Sequence, residues 1–77
     1  MQVQTLVDYA DRVVFDGKYF GLIAVDRPGV RTVTLPGGKL SQITDLYTNR
    51  KIPVNGNTFQ IYAAPGDAML FKVEFKR

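Results

Sequence analysis

The stretch Ile43–Phe75, ITDLYTNRKIPVNGNTFQIYAAPGDAMLFKVEF, decides the fold. Asn55-Gly56 sits between two short strand-like runs and is the strongest short-range signal for a two-residue hairpin loop. A type I′ turn needs positive φ at both central residues, which Asn tolerates and Gly accepts freely. Centring the loop there sets Val54 opposite Asn57, Pro53 opposite Thr58 and Ile52 opposite Phe59. One face then carries Ile52, Val54, Phe59 and Ile61, and the other Lys51, Pro53, Thr58, Gln60 and Tyr62. The hairpin is dry on one side and wet on the other. Pro53 has no N–H to give a ladder, so its strand belongs at an edge or pairs on one side only.

Ala64-Pro65-Gly66-Asp67 follows as a turn, with Pro presetting φ and Gly in the permissive position. The last strand alternates, with Met69, Phe71, Val73 and Phe75 inward and Lys72, Glu74 and Lys76 outward. Leu70 breaks the alternation and is expected to pack under a loop or against a neighbouring domain. Towards the N-terminus the same grammar recurs. Arg12–Phe15 precedes Asp16-Gly17, a second hairpin dipeptide. Tyr19–Val25 is an apolar run expected as a central strand covered on both faces. Asp26–Gly29 is a loop, Val30–Leu35 a β-branched strand, Pro36–Lys39 a turn, and Leu40–Tyr47 a strand leading into the opening stretch. Gln2–Asp11 reads equally as a first strand or a short helical turn. No segment has a helical period. The chain is predicted to be all-β: a small antiparallel β-sandwich of seven or eight short strands.

Size and composition agree. With 77 residues there is room for one domain, residues 1–77, and one small core. A chain this short buries only about 60% of its unfolded surface, so packing quality matters. Five Phe and four Tyr, with no Trp, are expected to supply much of the core volume. The absence of Cys excludes a disulfide framework and a zinc-thiolate site, and leaves the redox compartment open. No apolar run approaches the length of a membrane span, and no basic-then-apolar leader precedes the first strand. The chain is read as a domain cut from the C-terminus of a larger protein.

The chemistry is sparse. Without His, imidazole metal sites and Ser-His or Cys-His nucleophile pairs are excluded. Asp16, Asp26 and Asp67 stand beside turn formers, where a short carboxylate accepts backbone N–H bonds. Glycoside hydrolysis needs two carboxyl groups facing each other across a cleft, one with a raised pKa. The single Glu, Glu74, points outward among lysines. The chain is expected to have no catalytic residues, no cofactor and no metal. Ca²⁺ at Asp8 and Asp11 is the most reasonable cation site, resting on two carboxylates alone.

Ile43–Arg50, ITDLYTNR, is similar to the V-T-D-L-x-T-G-x strand-turn pattern in the closing β domains of glycoside hydrolases of the α-amylase, arabinofuranosidase and β-galactosidase kinds. Ile52-Pro53-Val54 matches the short strand that comes next there, Phe59-Gln60-Ile61 the one after, and Pro65-Gly66-Asp67-Ala68 the turn into an apolar terminal strand. The resemblance covers roughly the last 35 residues, with Tyr19–Val25 as an earlier strand. Asn49 replaces the usual Gly, a mild departure because Asn tolerates positive φ. The resemblance implies a non-catalytic accessory domain packed against the catalytic (β/α)₈ barrel of the same polypeptide. The resemblance leaves the compartment unknown, set by the parent enzyme, and is compatible with a secreted or periplasmic one. Asp45 is expected to tie down the Tyr47–Arg50 turn.

Three roles compete. Carbohydrate binding needs exposed aromatic faces with hydrogen-bonding neighbours; Tyr62, Gln60 and Tyr47 are the candidates, with Tyr9, Asn49 and Asn57 as lesser ones. Half-buried tyrosines with wet hydroxyls are the commoner role of this residue in a small sandwich. Nucleic-acid binding by a small β-barrel needs aromatic platforms in a basic groove. A net charge of +3 invites that reading, yet Arg12, Lys18, Arg27, Arg31, Lys39, Arg50, Lys51, Lys72, Lys76 and Arg77 are scattered without interleaved aromatics. They read as a solvated face, which disfavours nucleic acid. Docking needs only exposed apolar residues, for which Leu70, Val14 and Ile23 are the candidates. It is therefore preferred.

Overall fold

The computed structural model describes residues 6–77, and its described strands form two antiparallel layers with no helix. The strands are β1 (Arg12–Phe15), β2 (Tyr19–Ile23), β3 (Gly29–Thr34), β4 (Leu40–Asp45), β5 (Lys51–Ile52), β6 (Val54–Asn55), β7 (Thr58–Ala63) and β8 (Ala68–Phe75). One sheet has five strands in the order β1-β2-β8-β4-β5, and the other has three in the order β3-β7-β6. Val7, which lies outside the strands, adds an isolated antiparallel bridge to Val33 of β3. The expectation of a first strand or helical turn over Gln2–Asp11 is thus met only by this bridge, and its part over residues 2–5 lies outside the described residues.

Layering follows from alternation. In β7, Phe59, Ile61 and Ala63 are buried while Gln60 and Tyr62 are exposed. In β8, Phe71 and Val73 are buried while Lys72 and Glu74 are exposed. The inward residues of the two sheets meet in a core built on Phe20, Phe59 and Phe71, whose ring centroids are 5.7–6.2 Å apart. Leu22, Val33, Leu35, Leu40 and Ile43 fill the space around them. At one margin Phe15 and Phe75 meet edge-on at 6.4 Å. All five Phe therefore serve the core, whereas Tyr19, Tyr47 and Tyr62 are exposed and Tyr9 is only partly buried. Tyr contributes less core volume than the composition suggests, since its hydroxyl needs a polar partner.

The hairpin register differs from the expected one. Val54 pairs with Phe59 and Asn55 with Thr58, so Gly56-Asn57 forms the two-residue loop. Gly56 has φ 63° and Asn57 is not among the positive-φ residues, the pattern of a type II′ turn with Gly first. Parity survives the shift, so the dry and wet faces stay as expected. Asp16-Gly17 shows the same offset. Phe15 pairs with Phe20, which places Gly17-Lys18 at the tip and leaves Asp16 to accept the N–H groups of Lys18 and Tyr19 at 2.9 and 2.8 Å.

Nor is the expected hairpin continuous. Lys51-Ile52 pairs with β4 in the larger sheet, and Val54-Asn55 with β7 in the smaller one. The chain crosses between layers at Pro53, the residue without an N–H, and both short strands are sheet edges. A second correction concerns Tyr19–Val25, which is covered on one face only. β2 does lie between β1 and β8, and Phe20 and Leu22 are buried, but Tyr19, Ile23 and Val25 are exposed.

Candidate functional site

The carboxylates come first, because catalysis would need some of them free. All seven accept hydrogen bonds from the chain itself. Asp8 takes the Thr32 N–H at 2.9 Å and Asp67 the Ala64 N–H at 2.9 Å. Asp26 takes the N–H groups of Ala10 and Arg27, and Glu74 takes the Gln42 amide. Asp45 Oδ1 accepts from Tyr47 N–H at 2.8 Å and Thr48 N–H at 3.2 Å, as expected for the Tyr47–Arg50 turn. Asn49 closes that turn at φ 62°, using the backbone freedom for which Asn stands in for Gly.

Asp11 is bound most tightly, and its partner was missed. Arg31, counted from sequence among the solvated basic residues, is 0% exposed. Its Nε donates to Asp11 Oδ2 at 2.8 Å and its Nη2 to Asp11 Oδ1 at 3.1 Å, a bidentate pair. Nη1 donates to the carbonyls of Ala63 at 2.6 Å and Gly29 at 3.0 Å, and Nη2 reaches Asp26 O at 3.5 Å. All five guanidinium N–H groups thus have acceptors. The Tyr9 ring covers the group at 4.1 Å. Gly29 leaves room for this ring, since a Cβ there would come within 3.0 Å of Tyr9 Cζ and push the ring off Arg31. Asp11 also accepts from Val25 and Asp26 N–H, so this one pair fastens the segment before β1, the β2–β3 loop, β3 and the end of β7.

These contacts set the charge states. The Arg31 hydrogen bond holds the Asp11 carboxyl below the usual range, against the opposing effect of burial, with the Asp26 and Val25 N–H groups adding to it. The same bond raises Arg31. The Tyr19 and then Lys18 N–H groups lower Asp16, and the Ala10 and then Arg27 N–H groups lower Asp26. A carboxyl depressed in the folded state contributes stability that is full above its unfolded pKa and is lost as pH falls through its folded one. Thermal midpoints measured from pH 7 downward should therefore stay level to about pH 5 and fall below about pH 4. Asp11→Asn should flatten that acid slope while lowering the midpoint at pH 7. The two carboxylates named for Ca²⁺, Asp8 and Asp11, are both occupied within the chain. Asp11 is committed to Arg31 and Asp8 to Thr32 N–H, and among the described residues no cluster of metal-ligating side chains forms.

Two surfaces remain. The first is the outer face of the five-stranded sheet, where Val14, Gly21 and Leu70 stand side by side on β1, β2 and β8. Gly21 leaves a gap between its neighbours, partly overhung by Val14. The result is a hollow of ≈ 600 Å³ bordered by Val14, Gly21, Ile23, Leu70, Tyr47 and Arg12. Val14 is 71% exposed, Tyr47 68% and Ile23 49%. One row further along this face, Tyr19, Lys72, Thr44 and Lys51 line up in register.

The second surface is the outer face of β7. Gln60 and Tyr62 share it, and Gln60 donates to Thr32 Oγ1 on β3 at 3.3 Å. They border a hollow of ≈ 560 Å³ together with Asp45 at the end of β4 and Thr48 and Arg50 of the turn after it. The inward residues Ile61 and Phe71, with Ile52 and Met69, give it an apolar lining as well. Of the three saccharide candidates, Tyr62 and Gln60 are thus brought together, whereas Tyr47 turns to the other surface. Arg50 was not singled out as a binding residue. Its position in the turn fastened by Asp45 was the available signal. No family model, curated protein or solved structure matches the chain.

Proposed function

We propose that this chain is a non-catalytic accessory domain of a carbohydrate-active enzyme that packs against the catalytic domain of the same polypeptide. The observation that carries the reading is the apolar hollow over Gly21. Four of the eight large exposed apolar side chains, Val14, Tyr19, Ile23 and Tyr47, lie on or beside this face. An exposed apolar surface with a charged margin is the usual mark of an interaction site. Gly21 provides the recess for an incoming side chain, and Arg12, Lys72 and Lys51 favour an acidic rim on the partner. The non-catalytic part is supported by the carboxylates, each of which already holds a turn, a strand or Arg31. The carbohydrate link is what the Ile43–Val73 resemblance implies.

The test is the double variant Val14→Glu with Ile23→Glu. Both side chains are largely in water, so each change should cost the isolated chain about 1 kcal/mol or less. In the protein encoded by the full reading frame, the same variant should free the domain, read as an expanded radius in small-angle scattering and faster proteolysis between domains. A variant as compact and resistant as the parent would overturn the reading.

A further inference from the structure

We propose that the trough beside Tyr62 binds an acidic oligosaccharide, with one sugar ring stacked on Tyr62 and a uronate carboxylate held by Arg50. This site is separate from the docking face and does not depend on it.

Three features point to the ligand. Tyr62 is 62% exposed on the outer face of a rigid strand, so its ring is an accessible platform for the C–H face of a sugar. Arg50 borders the same hollow, and among the described residues no carboxylate lies within ion-pairing distance of it. A planar guanidinium with unspent donors suits a carboxylate far better than a hydroxyl. Polar groups for the hydroxyls stand around these two. Gln60 Oε1 remains as an acceptor, Thr48 offers its hydroxyl, and Asp45 Oδ2 is left over because the turn N–H groups use Oδ1.

The shape argues for an oligomer. A second hollow of ≈ 390 Å³, with Asn55 and Thr58 on its border, adjoins the first at Pro53 and Gln60. Thr58, Gln60 and Tyr62 alternate along one face of β7, which spans roughly 14 Å. That is room for more than one ring, with the acidic unit at the Tyr62–Arg50 end and amide and hydroxyl contacts at the other. A nucleic acid would need repeated aromatic platforms and several cations, and the trough has one of each.

The test is an NMR titration of the ¹⁵N-labelled chain with trigalacturonate, its neutral counterpart galactotriose, and sodium acetate. The expected result is saturable shifts at Thr48, Arg50, Gln60 and Tyr62 with trigalacturonate, and at least about tenfold weaker binding of the neutral sugar. Arg50→Gln and Tyr62→Ala, both exposed positions that leave the fold intact, should each weaken binding by about tenfold or more, and Tyr47→Ala should leave it unchanged. Equal binding of the neutral sugar, acetate reproducing the same shifts, shifts confined to other surfaces, or no shifts at all would each overturn the proposal.

Discussion

Arg31→Ala lowers the thermal midpoint of this chain by roughly 12–24 °C, the shift that a loss of about 3 kcal/mol produces in a domain of this size. The change strands the Asp11 carboxylate without solvent contact and leaves the Ala63 and Gly29 carbonyls without their donor. Removing one partner of a buried pair costs about 3–5 kcal/mol. The low end applies because the pair lies shallow: it is out of contact with water, yet covered chiefly by Tyr9. Lys at this position would not substitute, since an ammonium cannot make the bidentate contact. The double change Arg31→Met with Asp11→Leu should recover only the part of the loss due to the unpaired carboxylate, because the Ala63 and Gly29 carbonyls and the Val25 and Asp26 N–H groups still lose their partners. A midpoint within 3 °C of the parent for Arg31→Ala, roughly under 1 kcal/mol, would mean that the pair is open to solvent.

Phe71→Ala is expected to cost about 3–5 kcal/mol, enough to leave a chain of marginal total stability partly or wholly unfolded at 25 °C. Phe71 lies on β8, which is flanked by β2 and β4, and its ring meets both Phe20 from the same sheet and Phe59 from the other. Truncation opens a cavity where the layers meet, and two flanking rings cannot collapse to fill it without breaking their own contacts. Urea titration would read the loss as a fall in the midpoint concentration with an unchanged slope. Phe15→Ala, at the margin, should cost distinctly less. Equal losses for the two would show that the core is not centred on the three buried rings.

Alternation made the layers readable. Phe59-Gln60-Ile61-Tyr62 and Phe71-Lys72-Val73-Glu74 give the inside and outside of β7 and β8 directly, and a β-branched run marks β3. Turn dipeptides located the hairpins but not their centres. In both Asp16-Gly17 and Asn55-Gly56 the Gly opens the two-residue loop and the polar residue stands just before it, because Asp and Asn act here through side chain or pairing rather than through positive φ. The switch of sheets at Pro53 was invisible, since Ile52 and Val54 keep the same parity whichever sheet they join. Arg31 was hidden by its type and visible by its place, being in step with Val33 and Leu35 on the dry side of β3. Only three-dimensional pairing could show that Asp11, twenty residues away, neutralises it. For the same reason sequence grouped Tyr47 with Tyr62. A turn sends neighbouring side chains to different surfaces, and spacing along the chain does not say which.

Solvent relaxation of methyl signals distinguishes a docked outer face on the five-stranded sheet from one left in water. A soluble paramagnetic agent would be applied to the 77-residue chain and to the protein encoded by its full reading frame. The methyl groups of Val14 and Ile23 should be strongly relaxed in the isolated chain and shielded in the full protein, with half-buried Leu70 following them more weakly. Val30, which faces outward from the smaller sheet, should be relaxed equally in both. Methyl groups of Val14 and Ile23 that remain as accessible as Val30 in the full protein would contradict docking, as would a reading frame that encodes no second domain.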